Sequence, residues 1–130
     1  MKDTLNQLLE QSLQTHWSLK SLSNFESTDY LYSDVADRIV RYHLAWKHAG
    51  LEPGFRVALC GRNSAEWCIA LLAAFSYGAV AVPLLNEFTR HTLILNGIED
   101  IAGIRYFTHT GNLNGDRRAC LGNAHALIVN

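Results

Sequence analysis

The amino-acid sequence predicts an α/β fold: an open, mostly parallel, doubly wound sheet with helices on both faces. Three observations carry this expectation. Apolar runs of strand length alternate with helical stripes along most of the chain. The run at 79–84 is nearly continuously apolar, as a strand covered on both faces must be. Gly50, Pro53-Gly54 and Gly78 punctuate the junctions between these segments.

Each element has its own signal. Over residues 3–17, Leu5, Leu8, Leu9, Leu13 and Trp17 recur on one helical face, with Asp3 placed to cap it. Residues 18–32 are mixed, with short alternating pieces around Leu19, Leu22, Phe25 and Tyr30, and predict a hairpin or a pair of edge strands. Ser33 then reads as an N-cap for a helix with Ala36, Ile39, Val40 and Leu44 as its apolar stripe, running to Ala49. Gly50 stands at the left-handed C-cap position, and Pro53-Gly54 makes a turn into a strand at 55–60.

Asn63, with Glu66 three residues on, has the spacing of a capping box, here with Asn in place of Ser or Thr. The helix it opens occupies 67–77, Gly78 ends it, and a strand follows at 79–84. Thr89 can cap a further helix with Ile94, Ile98, Ile101 and Ala102 on one side. A strand at 104–108, a loop with at most a short helix at 111–122, and a last strand at 125–129 complete the pattern. No linker, repeat or low-complexity tract divides the chain, so residues 1–130 read as a single α/β subdomain.

Composition narrows the function classes. The 130 residues are 48% hydrophobic and 18% charged, which excludes a wholly disordered chain. A domain of this length removes roughly two thirds of its unfolded surface from water. A formal net charge of -1 gives no electrostatic footprint for nucleic acid. Cys60, Cys68 and Cys120 are odd in number and unrelated in spacing. They fit neither a disulfide framework nor a C-x-x-C zinc site, and a reducing cytoplasm is expected. No secretory signal is expected, because no cleavage site follows an apolar N-terminal run.

The segment between Glu66 and Glu87 carries no charge and approaches membrane-spanning length. Ser76, Tyr77, Gly78 and Pro83 break it, so it reads as a core helix, turn and strand.

Candidate chemistry is sparse. Parallel sheets bind ligands beyond their strand carboxyl ends, where Cys60-Gly61-Arg62-Asn63-Ser64 lies before a helix. Its backbone amides and Arg62 could hold an anion, yet the loop has one Gly and no phosphate-loop Lys, so a well-capped tight turn is the simpler reading. Thr108 to Gly115 looks like a nucleotide loop but also lacks the Lys, and Arg117 with Arg118 reads as a solvated pair.

The six histidines are scattered. His43 and His48 do not share a helix face, and His43 is expected to flank the core as a satisfied polar residue. Trp17, Trp46 and Trp67 are expected to pack. Cys60 would need a base beside it to act as a nucleophile, and the sequence names none.

The middle of the chain resembles a known family. Tyr32-Ser33 with Arg38, Ala49-Gly50-Leu51, Pro53-Gly54 and Arg56-Val57-Ala58 form one half of the pattern. Asn63-Ser64-Ala65-Glu66-Trp67 and Gly78-Ala79-Val80-Ala81-Val82-Pro83-Leu84 form the other. In this order they resemble the N-terminal segment of the adenylate-forming (AMP-binding) enzymes, over residues 31–108 and more weakly to 129. Phe55 departs from the pattern where the family often has Asp, at the expected loss of a turn hydrogen bond. Leu85-Asn86-Glu87-Phe88-Thr89 replaces the common Asn-Pro or Asp-Pro continuation and is more similar to the long-chain fatty acid-CoA ligase branch.

The resemblance implies a two-step ligase as the full-length protein. A carboxylate attacks the α-phosphate of ATP with Mg²⁺, giving acyl-adenylate and pyrophosphate, and the CoA thiol then takes the acyl group. The family's Ser/Thr/Gly-rich loop ending in Pro-Lys-Gly, its ribose-binding acidic motif and its C-terminal lid Lys do not occur in these residues. By this reading the chain is the N-terminal part of a longer enzyme, inactive alone, whose partners are the remaining subdomains and a fatty acid. No catalytic, cofactor-binding or metal-ligating residue carries over. Arg62 and Arg90 are the cations nearest strand carboxyl ends, and neither matches a family motif position. The implied location is cytoplasmic, with a position peripheral to a membrane as the alternative. A stand-alone, non-catalytic α/β binding module is the competing reading. A flavodoxin-like nucleotide binder is a third, which Gly61-Arg62-Asn63-Ser64 fits poorly.

Overall fold

A computed structural model describes residues 4–61, 63–84, 104–110 and 125–129. Among the described residues nine elements follow one another: α1 (Leu5–Thr15), β1 (Lys20–Ser23), β2 (Asp29–Leu31), α2 (Tyr32–His48), β3 (Arg56–Gly61), α3 (Ala65–Tyr77), β4 (Val80–Leu84), β5 (Ile104–Thr110) and β6 (His125–Val129). The last four strands form a parallel sheet in the order β4-β3-β5-β6, while β1 and β2 form a separate antiparallel hairpin. The α/β class and the hairpin expected from sequence are both present. The helix capped by Thr89, the loop at 111–122, Arg62, Arg90, Arg117, Arg118 and Cys120 lie outside the described residues.

The helices are capped by local chemistry, with three shifts from expectation. Thr4, not Asp3, caps α1: its Oγ1 accepts from the Gln7 amide at 3.3 Å, and Gln7 Oε1 accepts from the Thr4 amide at 2.7 Å. This is a reciprocal capping box, which satisfies two otherwise orphan donors. Ser33 does not cap α2. The helix starts two residues earlier than that cap implies, with Leu31 at the N-cap, and Asp34 reaches back to take the Leu31 amide at 2.8 Å. A carboxylate there also meets the positive end of the helix dipole. Ser64 caps α3 in place of Asn63, as detailed below.

Helix α1 ends at Thr15, two residues short of the expected 17, while the C-termini of α2 and α3 follow expectation. Gly50 is left-handed (φ 74°), so that the Leu51 amide can return to the Trp46 carbonyl at 3.0 Å. Gly78 (φ 81°) closes α3, and a Cβ there would stand 3.4 Å from Pro53 Cβ. The uncharged stretch thus divides at Gly78 into helix and strand. No described helix is long and apolar enough to cross a membrane.

The core forms where α2 and α3 stack beside the sheet. Val35, Ile39, Tyr42 and Trp46 are the buried stripe of α2. Ile39 is the one member of the expected stripe that is buried: Val40 and Leu44 face outward, and Ala36 is half-buried. The helix turns its largest aromatics inward, because Tyr42 and Trp46 remove more apolar area from water. Trp46 is 0% exposed and lies at the centre of an aromatic group with Tyr42, His43, Phe55 and Tyr77, at ring separations of 5.3–6.4 Å.

On α3, Ala65, Ala70, Ala73 and Ala74 with Ile69 present the buried face. Val57, Ala58 and Leu59 of β3 are all 0% exposed, so consecutive residues on opposite faces are sealed. That marks β3 as a central strand. Helix α1 is looser: Leu9 and Leu13 pack on the core, whereas Leu5, Leu8 and Trp17 remain exposed, contrary to the packing expected of Trp17.

Candidate functional site

The strand order itself locates a switch point in the sheet. From β3 the chain moves outward to β4 on one side, and from β5 it moves outward to β6 on the other. Neighbouring β3 and β5 therefore form a topological switch point, where open parallel sheets leave a gap beyond their carboxyl ends. Gly61 of β3 registers with Thr110 of β5 at that end, and Cys60 with His109. Strand β5 thus continues to Thr110, two residues into the stretch expected to be a loop.

Beyond β3 the chain turns directly into α3. Free amides at this helix start could bind an anion, but protein groups already occupy them. Ser64 Oγ accepts from the Trp67 amide at 3.1 Å, and Asn24 Oδ1 accepts from the Ala65 amide at 2.8 Å. Asn24 arrives from the turn of the β1–β2 hairpin, 41 residues away in sequence. With Ser64 as cap, the residue three on is Trp67, which has no carboxylate to return, so the expected box between Asn63 and Glu66 does not form.

Glu66 turns instead toward the hairpin. Asn24 Nδ2 donates to both of its oxygens, at 3.2 and 3.1 Å, and the Tyr30 hydroxyl donates to Oε1 at 2.5 Å. Burial alone would raise the Glu66 pKa. Hydrogen bonds from Tyr30 and Asn24, with those of its own amide and Ser64, outweigh burial and hold it below the ordinary carboxylate value. The same hydrogen bond to Glu66, with burial, pushes the Tyr30 hydroxyl up. The Arg38 guanidinium stacks over the Tyr30 ring, 4.9 Å from its centroid.

The remaining polar candidates have structural partners. His43 Nε2 lies 3.1 Å from the Ala73 carbonyl and 2.9 Å from Ser76 Oγ, joining α2 to α3 as a satisfied polar flank of the core. Ser76 donates its proton back to the Leu72 carbonyl at 2.8 Å, so the pair does not have the geometry of an activated nucleophile. Burial pushes the Cys68 thiol up, which disfavours thiolate. Among the described residues no three His, Cys, Asp or Glu side chains converge on a cation position. The described residues therefore do not fit the Mg²⁺ that the resemblance implies. Asn24 and Tyr30 carried no sequence signal. Glu66 did carry one, but it pointed to a local box.

The comparisons now decide the family. The AMP-binding enzyme family model matches residues 9–95. The chain belongs to the AMP-binding enzyme family. A probable CoA ligase of Humulus lupulus is 33% identical over 70 residues, which is 54% of this chain and 10% of that protein. Long chain acyl-CoA synthetase 1 of Arabidopsis thaliana is 36% identical over 55 residues, 42% of this chain and 8% of that protein. The chain thus spans about a tenth of the length of these curated relatives.

Solved structures show the fold. The N-terminal subdomain of Klebsiella oxytoca NpsA, in complex with 3-hydroxyanthranilyl-AMSN, matches with a TM-score of 0.75 at 20% identity. That match covers 98% of this chain and 31% of the solved one. O-succinylbenzoate Coenzyme A Synthetase of Bacillus subtilis, in complex with AMP, matches at 0.72 and 19% identity, covering 92% and 30%. The doubly wound sheet is therefore the one found in N-terminal parts of adenylate-forming enzymes.

In this family the segment Asn63-Ser64-Ala65-Glu66-Trp67 takes on a physical meaning. Ser64 caps, Glu66 reaches the hairpin, and Trp67 packs against the core. Phe55, the departure from family pattern, fills the aromatic group beside Trp46 and Tyr77, at 5.4 and 5.7 Å.

Proposed function

We propose that residues 1–130 form the N-terminal subdomain of an AMP-forming acyl-CoA synthetase acting on a fatty acid. The observation that carries this reading is the pair of curated relatives, both at 33% identity or better and both named for CoA ligation. The stretch 85–89 supports the same branch. In the proposed reaction a carboxylate oxygen attacks the α-phosphorus of ATP, the bond to pyrophosphate breaks, and acyl-adenylate forms. The CoA sulfur then attacks the acyl carbon and AMP leaves. Activation is the purpose, since a carboxylate is a poor electrophile until its oxygen departs as AMP.

This chain's own part is architectural. It supplies a parallel sheet with its switch point at the β3–β5 carboxyl ends, against which later subdomains would assemble the ATP, CoA and acyl sites. Mg²⁺ would neutralise phosphate charge when bound, and its ligands would come from those subdomains. A cytoplasmic location suits the unmatched cysteines. The test is carboxylate-dependent exchange of pyrophosphate into ATP by the complete gene product. Exchange with fatty acids, followed by CoA thioester formation, is expected. Exchange with amino acids only, or none with any carboxylate, would overturn the reading.

A further inference from the structure

We infer that the β1–β2 hairpin is a latch on α3: Asn24 and Tyr30 are positioning residues that fix the first turn of α3 and close its Ala65 amide to phosphate. Three facts converge on it. Asn24 spends both ends of its carboxamide on α3, the oxygen on the Ala65 amide at 2.8 Å and the nitrogen on Glu66 at 3.1 and 3.2 Å. Tyr30 adds a second anchor from β2, 2.5 Å from Glu66. The hairpin is otherwise its own two-stranded sheet, separate from the four parallel strands. A two-stranded hairpin is marginal by itself, so its position depends on what it docks against.

The backbone around Asn24 is shaped for this task. The turn is closed by the Asn24 amide to the Thr28 carbonyl at 2.9 Å and the Ser27 amide to the Asn24 carbonyl at 3.1 Å. Glu26 takes a left-handed conformation within it (φ 51°), and Phe25 is left 91% exposed. The side chain of Asn24, not that of the apolar neighbour, is the one delivered to the helix.

The consequence concerns ligands. A strand-turn-helix at a switch point is where doubly wound folds commonly seat phosphate on helix amides. Here a carboxylate already occupies the helix start, and two of its first amides are spent on Asn24 and Ser64. A second anion at the Ala65 and Trp67 amides would meet the Glu66 carboxylate and find both donors taken. On the ligase reading, the phosphates of ATP are therefore held by groups outside this turn, and that clause alone rests on that reading.

Amide hydrogen exchange on the chain tests the latch. Asn24→Ala should speed exchange of the Ala65 amide by about tenfold, the worth of one buried hydrogen bond to a helix end. Tyr30→Phe touches Glu66 and not Ala65, yet should speed Ala65 exchange by about threefold if the hairpin acts as one unit. Tyr30→Phe retains the ring that packs under Arg38, so it carries the test should Asn24→Ala fail to fold. Unchanged Ala65 exchange in Tyr30→Phe would overturn the latch. Titration of the unmodified chain with inorganic phosphate should leave the Ala65 and Trp67 amide resonances unmoved, and saturable shifts there would equally overturn it. Neither readout involves adenylation, so failure of the latch and failure of the ligase reading are told apart.

Discussion

At the scale of single residues, burial and hydrogen bonding account for most side chains and isolate one. The Tyr42 hydroxyl is fully buried and has no hydrogen-bond partner among the described residues. Burial pushes its pKa well above the ordinary tyrosine value, so it stays a neutral, unsatisfied donor. Such a group costs about 1–3 kcal/mol of desolvation. Tyr42→Phe keeps the ring against Trp46 and removes the orphan. Chemical denaturation should show stability unchanged or raised by about 1 kcal/mol, whereas a loss of more than about 1 kcal/mol would reveal a hidden partner. Which residues would be large and apolar was legible in the sequence; the rotation of α2 was not. Ile39 and Val40 are equally apolar, and only the docking of Tyr42 and Trp46 against Phe55 and Tyr77 buries one and leaves the other in water.

At the scale of elements, the pattern was legible wherever the physics is local. Gly50, Pro53-Gly54 and Gly78 marked their turns because a left-handed or proline-fixed backbone leaves a signature in one or two residues. Caps were legible to within a residue for α1 and α3 and to within two for α2, since Thr4, Asp34 and Ser64 compete with neighbours of the same chemistry. The hairpin-to-α3 contact was not legible, because Asn24 and Glu66 are 42 positions apart and nothing in either neighbourhood announces the other. That contact has a pH signature. Glu66 is held below its ordinary 4.5, so its contribution to stability is fully present above that value. It is lost as pH falls through the lower, folded-state value. Glu66→Gln should therefore be less stable than the native chain at pH 7, with the gap closing as pH falls below 4.5. Thermal melts across that range measure it, and a gap that stays constant would remove the ionised carboxylate from the account.

At the scale of the whole molecule, alternation of strands and helices announced the parallel α/β class, and two-sided burial of β3 confirms it. The strand order β4-β3-β5-β6 could not be read, because which strand lies beside which is settled by packing across the sheet. That order makes β3 and β5 the switch point, so the candidate site was legible as a strand end but not as a switch point. Membership of the AMP-binding family gives this architecture its context, and the exposed Leu5, Leu8, Val40, Leu44 and Val80 are apolar surface that further subdomains could cover. The proposal that this sheet is the first layer of an adenylating ligase is tested by reading the coding sequence beyond codon 130. An open frame carrying a Ser/Thr/Gly-rich loop that ends in Pro-Lys-Gly is the predicted result. A stop codon at that point would contradict it and leave a stand-alone α/β module.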